Sequence, residues 1–306
     1  MNKTLLPLLA APLTITCSVA ALIFTVGTTG FMRFASSRGV ADHDFVSCDK
    51  SLRESGGFLC ESDAAWNRKR EILLTQRRAE KSTPKQRARK TLAKYWQTFH
   101  EPEFACSFEK RLGRTGDGGK WICDPHLIKN GPEDDCVVFS IGSNNDFSFE
   151  EAIHSELPGC EIHTFDHTVV DPSIPPYVNY HFLGVGPRDD PDNKIMSLSG
   201  LRRASGDPKG WDRPIEILKI DVEKHEYASL MPALAKGHFR GVRQVLIEVH
   251  APLSVDGSNP GEGYDQMDEF FRLFAKAGFV ITHKEPNLLH PRCVEFAFLH
   301  LDLEGV

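Results

Sequence analysis

The residues best placed for chemistry fall at four points of the 306-residue chain, each where an apolar run gives way to polar side chains. Val137–Ile141 ends at Gly142-Ser143-Asn144-Asn145-Asp146, and Glu161–Phe165 ends at Asp166. Ile215–Ile220 ends at Asp221-Val222-Glu223-Lys224-His225-Glu226, and residues 244–249 end at His250. Short β-branched runs of this kind read as strands buried on both faces of a parallel sheet. Gly142 admits a ligand close to the backbone, and the helix start after it presents N–H groups suited to an anionic or carboxylate group. A structural tight turn needs the same residue. Asp166, 24 positions after Gly142, is placed to hydrogen-bond the two hydroxyls of a ribose. The pair indicates a nucleoside cofactor without saying which.

The two later strands deliver Asp221, Glu223, His225, Glu226, Glu248 and His250 to one edge of the sheet. A histidine there is a candidate general base near neutral pH, His225 and His250 alike. Asp221 with Glu248 or His250 is, alternatively, a seat for a divalent cation that orients a diol and lowers its pKa. The plain structural reading of the same residues is helix capping and hydrogen bonding, with Glu226 the first candidate for it.

Positioning these groups requires an α/β fold, a doubly wound and mostly parallel Rossmann-like sheet with ligands at the carboxyl ends of its strands. Residues 264–277 form an amphipathic helix whose Met267, Phe270, Phe271 and Phe274 face a core, closed by Gly278. Residues 279–283 and 294–301 then read as two strands with no helix between them, hence an antiparallel pair. NAD-binding sheets normally continue parallel, so this ending favours S-adenosylmethionine. A strand is also expected at 180–185, and the polar stretches 186–214 and 251–263 are the expected seats of substrate choice.

Residues 138–150, 218–226 and the lead-in 111–123 (Arg-Leu-Gly-Arg-Thr-Gly-Asp-Gly-Gly-Lys-Trp-Ile-Cys) resemble class I S-adenosylmethionine-dependent methyltransferases. The nearest resemblance is to the FkbM-type branch and the methyltransferase-like protein 24 group, over residues 104 to the C-terminus. It implies S-adenosyl-L-methionine as cofactor, with Ser140, Gly142 and Asn144 at the methionine end and Asp166 at the ribose. Asp221, His225 and His250 would stand where the methyl group is delivered. It also places Asp117 and Lys120 at the rim of the cleft. The FkbM-type likeness implies a hydroxyl acceptor on a sugar or other small polyol. Lys224 stands where that branch usually has glycine, and the first loop lacks further glycines.

The remaining features concern location. Residues 5–26 form an uncharged stretch of 22, long enough to cross a bilayer as a signal anchor, with a cleaved signal peptide as the alternative. The expected organisation is therefore an anchor over 1–27, a stem with a basic helical segment over 28–100 and a methyltransferase domain over 101–306. That places the chain on a membrane in the secretory pathway, or outside the cell if the segment is cleaved. Eleven Lys or Arg against two acids lie between Arg68 and Lys94, although the net charge is −6, which argues against a nucleic-acid partner. Of eight cysteines, Cys48 with Cys60 and Cys106 with Cys123 have spacings suited to short disulfide loops, while Cys136 and Cys160 read as small buried hydrophobes. Two competing functions share these features: a luminal glycosyltransferase using Asp221 and Glu223 around a metal, and a non-catalytic methyltransferase-like binding module.

Overall fold

The computed structural model describes residues 48–303, apart from 117, 132–134, 207–212 and 289. Helices α1 (Asp49–Glu54), α2 (Asp63–Ser82), α3 (Lys85–Ala88) and α4 (Leu92–Thr98) precede a hairpin of β1 (Glu109–Leu112) and β2 (Lys120–Cys123). The alternating part follows as β3 (Val137–Ile141), α5 (Ser148–Glu156), β4 (Glu161–Phe165) and β5 (Val178–His181). A short parallel pair comes next, β6 (Gly184–Val185) and β7 (Ile195–Met196), then α6 (Leu198–Ala204). The chain ends with β8 (Ile215–Ile220), α7 (Glu226–Ala235), β9 (Val242–His250), α8 (Pro260–Lys276), β10 (Phe279–Pro286) and β11 (Cys293–His300).

Seven strands form one sheet in the order β10-β11-β9-β8-β3-β4-β5. β3 pairs in parallel with both β4 and β8, so the winding reverses there and leaves a crevice at the strands' carboxyl ends. β11 runs antiparallel between β9 and β10, as the helix-free connection requires. This is the class I methyltransferase arrangement. The strand expected at 180–185 is split into β5 and β6, because the chain turns at Phe182 and Leu183 and then pairs Gly184 with Ile195.

Alternation along β9 and β11 sorts the two cores. Val245, Ile247, Val249, Phe296 and Phe298 face α7 and α8, where Phe270, Phe271 and Phe274 complete an aromatic cluster. Leu246, Ala297 and Leu299 face the opposite way, toward α2, α5 and the β1–β2 hairpin. Each fully buried Phe contributes on the order of 1.5–3 kcal/mol, so the stripe on α8 alone fixes which side of that helix is inward.

The described part of the expected stem, from residue 48 on, packs into this domain. Residues Val46–Val306 form one compact unit, in which Trp66 and Leu73 of α2 and Tyr95 and Trp96 of α4 are core residues. Some of its basic side chains pair with acids of the domain: Arg77 with Glu103, and Lys85 and Arg89 with Asp268. No helix among the described residues is long and apolar enough to cross a membrane, and the expected anchor lies outside them.

Three disulfides are present among the described residues. Cys48–Cys60 and Cys106–Cys123 follow the expected spacings. Cys136–Cys160 corrects the reading of those two as isolated hydrophobes: they precede the paired strands β3 and β4 in the same register, which brings their Cα atoms to 4.5 Å. Cys293 is a free thiol.

Candidate active site

A cleft of about 1850 Å³ opens at the carboxyl ends of β3, β4, β8 and β9. It is lined by residues 142–146, Asp166, Asp221, His225 and His250, which the sequence had marked, and by Glu295 and Cys293, which it had not.

Gly142 sits at φ +84°, and a Cβ there would lie 1.8 Å from the carbonyl oxygen of Asp221. The close approach that demands glycine is therefore that of the neighbouring strand end rather than of a ligand. Ser140 is fully buried within β3, its hydroxyl without a hydrogen-bond partner among the described residues, and it does not line the cleft. Asn144 is in the cleft wall at φ 45°.

Asp166 stands at the tip of β4, but its oxygens are engaged by the protein. Oδ2 accepts from the Ser143 N–H at 2.8 Å, the Ser143 hydroxyl at 3.1 Å and the Asn144 N–H at 2.8 Å. Oδ1 accepts from the Thr168 N–H at 2.8 Å and hydroxyl at 2.6 Å. Burial opposes the charge, yet these donors, Thr168 first, outweigh it and bring the pKa down to about 2. The acid expected to grip a ribose is thus also the clasp that holds the β3–α5 loop. Beneath that loop the Lys219 ammonium donates to the Gly142 carbonyl at 2.5 Å.

The opposite wall is a block of polar side chains on one face of β9 and β11. In the antiparallel register Glu295 lies across from Glu248, and Cys293 across from His250. Side-chain oxygens of Asp221, Glu248 and Glu295 come within 4.8 Å of one another. Lys120 enters from β2, whose strand is pinned to β9 by Gln244, with amide bonds to the Cys123 backbone at 2.8 and 2.9 Å. Its ammonium, only 2% exposed as a residue, donates to Glu295 at 2.6 Å and Asp221 at 3.2 Å. Lys120 is therefore buried behind the carboxylates of the cleft wall and not at its rim; Asp117 lies outside the described residues.

Electrostatics follow from that packing. Burial disfavours the ammonium of Lys120, but Glu295 and Asp221 together outweigh it and raise its pKa. Burial, then Asp221 and Glu295, push Glu248 up to about 8. Asp221 moves the other way despite burial, because Lys120 and Lys219 hold it ionised. At neutral pH the Asp221–Glu248 pair shares one proton, carried by Glu248. Lys120 already supplies a cation between Asp221 and Glu295, so the expected divalent cation on Asp221 has a resident competitor.

His250 is buried, and its Nδ1 bonds the fully buried carboxylate of Glu226. Glu226 opens α7, yet its side chain orients a histidine in addition to receiving the Lys224 N–H at 3.2 Å. His250 Nε2 is left toward the exposed Glu223, at 3.5 Å. Burial lowers the pKa of His250, but the Glu226 bond and charge lead the effects that raise it overall. His225 is exposed in the cleft wall, apart from this buried pair. Sequence reasoning missed Glu295 and Cys293, and it gave Glu226 and Lys120 other places, a helix cap and the cleft rim. Glu295 alone left a signal, a charge within the apolar run of β11.

Residues 49–300 match the profile of a family described as a methyltransferase domain. The chain belongs to that family. Its fold and family make this methyltransferase a class I, S-adenosylmethionine-dependent enzyme. No curated protein matches the sequence. Among solved structures, Methanococcus jannaschii fibrillarin, a pre-rRNA processing protein, aligns at 11% identity, over 63% of this chain and 83% of that one, with a TM-score of 0.34. Aeropyrum pernix fibrillarin with natively bound S-adenosyl-L-methionine aligns over the same shares at 11% identity and a TM-score of 0.34. The mitomycin 7-O-methyltransferase MmcR aligns at 12% identity, over 54% of this chain and 49% of that one, with a TM-score of 0.27. Likenesses this distant say nothing of what the present methyltransferase acts on. Its cleft lining suits the cationic sulfonium of S-adenosylmethionine, with Asp221 and Glu223 among its carboxylates, whereas the oxygens of Asp166 are already taken by Ser143, Asn144 and Thr168.

Proposed function

We propose that this methyltransferase acts on a hydroxyl of a sugar or other small polyol. The Glu226–His250 pair carries the reading. A hydroxyl is a poor nucleophile until its proton is removed, and an imidazole held by a buried carboxylate at the cleft edge is suited to remove it. S-adenosylmethionine supplies an electrophilic methyl group on a sulfonium. Glu226 fixes the ring of His250 and stabilises the imidazolium that forms when Nε2 takes the acceptor proton. Asp166 keeps the β3–α5 loop in shape, and the Lys120–Asp221–Glu295 cluster holds the floor on which the acceptor would rest.

The carboxylates of this wall suit a neutral polyhydroxylated acceptor and repel a phosphodiester backbone. The FkbM-type resemblance points the same way. Three disulfides among the described residues support an oxidising compartment, and with the N-terminal apolar stretch they favour the secretory pathway, membrane-anchored or secreted.

The test is calorimetric titration with S-adenosylmethionine and S-adenosylhomocysteine, followed by transfer of labelled methyl to a panel of sugars and polyols. Micromolar cofactor binding with label on a hydroxyl supports the reading. Label on nitrogen or on nucleic acid overturns the acceptor class. A folded chain that binds neither ligand leaves the binding-module function in its place.

A further inference from the structure

Six of the eight cysteines are oxidised in pairs, yet Cys293 keeps a free thiol inside the cleft, directly across the strand register from His250. Ligand atoms of Glu248, His250 and Cys293 lie within 4.8 Å of one another. Glu226 occupies His250 Nδ1, which leaves Nε2 as the coordinating nitrogen, the arrangement by which a carboxylate fixes a metal-binding histidine. Nε2 is 3.8 Å from Glu248 Oε2 and 3.5 Å from Glu223 Oε2. Tetrahedral zinc with nitrogen and oxygen bonds near 2.0–2.2 Å sets such ligands about 3.3 Å apart, so a shift of about half an ångström brings His250 and Glu248 to ligating distance.

Carboxyl groups outnumber ammonium groups around the set. Asp221, Glu223, Glu226, Glu248 and Glu295 gather near it, against the ammonium groups of Lys120 and Lys219. Glu226 Oε2 and Glu295 Oε2 are shielded from solvent and accept no hydrogen bond among the described residues. The donors select the kind of cation such a site would take. Thiolate and imidazole favour a borderline-soft metal, whereas magnesium and calcium prefer oxygen alone. Lys120 bars the all-carboxylate position between Asp221 and Glu295, which leaves the His–Cys–Glu position.

We propose that Glu248, His250 and Cys293 bind one zinc ion, with the fourth position open. Three protein ligands and an open position make a catalytic rather than a structural zinc site. The site itself does not depend on the acceptor proposed above; its use does. Zinc there would take His250 as a ligand in place of a base and would lower the pKa of the acceptor hydroxyl, and the exposed carboxylate of Glu223 would receive the proton as the methyl passes from the sulfonium to the oxygen, releasing S-adenosylhomocysteine.

The experiment uses the full chain, stripped with a chelator and dialysed against Zn²⁺ or Co²⁺. Elemental analysis gives stoichiometry, and the thiolate-to-cobalt absorption band reports sulfur ligation. The expected result is one metal per chain and a band lost in Cys293→Ser. Glu226→Gln should weaken zinc by about 10–100-fold while the band persists at saturation. Far-UV circular dichroism verifies that each variant is folded, and Cys293→Ala serves if the serine variant is not. Substoichiometric metal in folded wild type, or a band that survives both Cys293 variants, overturns the site. Titration of the same samples with S-adenosylhomocysteine separates the two readings: a cobalt band without cofactor binding removes the methyl-transfer function and leaves the zinc site standing.

Discussion

Replacing Lys120 by methionine is the sharpest probe of the site's construction. The side chain keeps its length and loses its charge, which leaves Asp221 and Glu295, whose side chains are 18% and 15% exposed, beside Glu248 without the ammonium between them. Breaking a buried pair by removing one partner costs about 3–5 kcal/mol. In a domain of this size each kcal/mol moves Tm by about 2–4 °C, so the variant should melt roughly 6–20 °C below wild type. The pH dependence gives a second handle. The folded pKa of Lys120 is raised, so its own contribution is complete below its unfolded value near 10.5 and is lost only as pH rises through the folded value. Any change between neutral and mildly alkaline pH therefore reports the acids. Glu248 titrates at about 8 in the folded chain against 4.5 for a free side chain, so the folded state holds an extra proton between those values and loses stability as pH rises through them. Without the ammonium that loss steepens, and the penalty should be larger near about pH 9 than near about pH 6. Urea denaturation at the two pH values measures it. A penalty below about 1 kcal/mol, or one flat with pH, refutes the reasoning. Recovery of at least half the loss in Lys120→Met with Glu295→Gln would establish the partner.

Three further outcomes are expected. In zinc-free enzyme, His250→Ala should lower kcat by about 10²–10⁴-fold, and the acid limb of the wild-type kcat/KM profile should have its midpoint above 6.5, moving down in Glu226→Gln because Glu226 leads the effects that raise it. Asp166→Asn should cost about 2 kcal/mol and loosen the β3–α5 loop, read as faster amide exchange at Ser143 and Asn144; the wild-type contribution is present above the unfolded pKa and lost as pH falls through about 2. Removing Cys136–Cys160 with a pair of serines opens a loop of sequence separation 24 and should cost about 3.5 kcal/mol in chemical denaturation.

The chain by itself determined the scaffold and one wall of the cleft. Apolar runs ending in Gly142, Asp166, Asp221 and His250 are local signals, since a buried parallel strand needs an unbroken apolar run and its tip is where polar residues return. The helix-free step from β10 to β11 likewise decided the antiparallel end of the sheet before any contact was known. The other wall was decided by tertiary structure. Lys120 lies 101 positions from Asp221 and 175 from Glu295, and Cys293 faces His250 only through the β9–β11 register. No local pattern encodes such distances, because register follows from how whole strands bury their apolar faces. Tertiary packing also reassigned residues that the sequence had named. Gly142 is glycine for the backbone of Asp221, and Glu226 at a helix start holds a histidine from another strand. Residues that read as a stem became core, since Trp66, Tyr95 and Trp96 have apolar faces that only the sheet can cover.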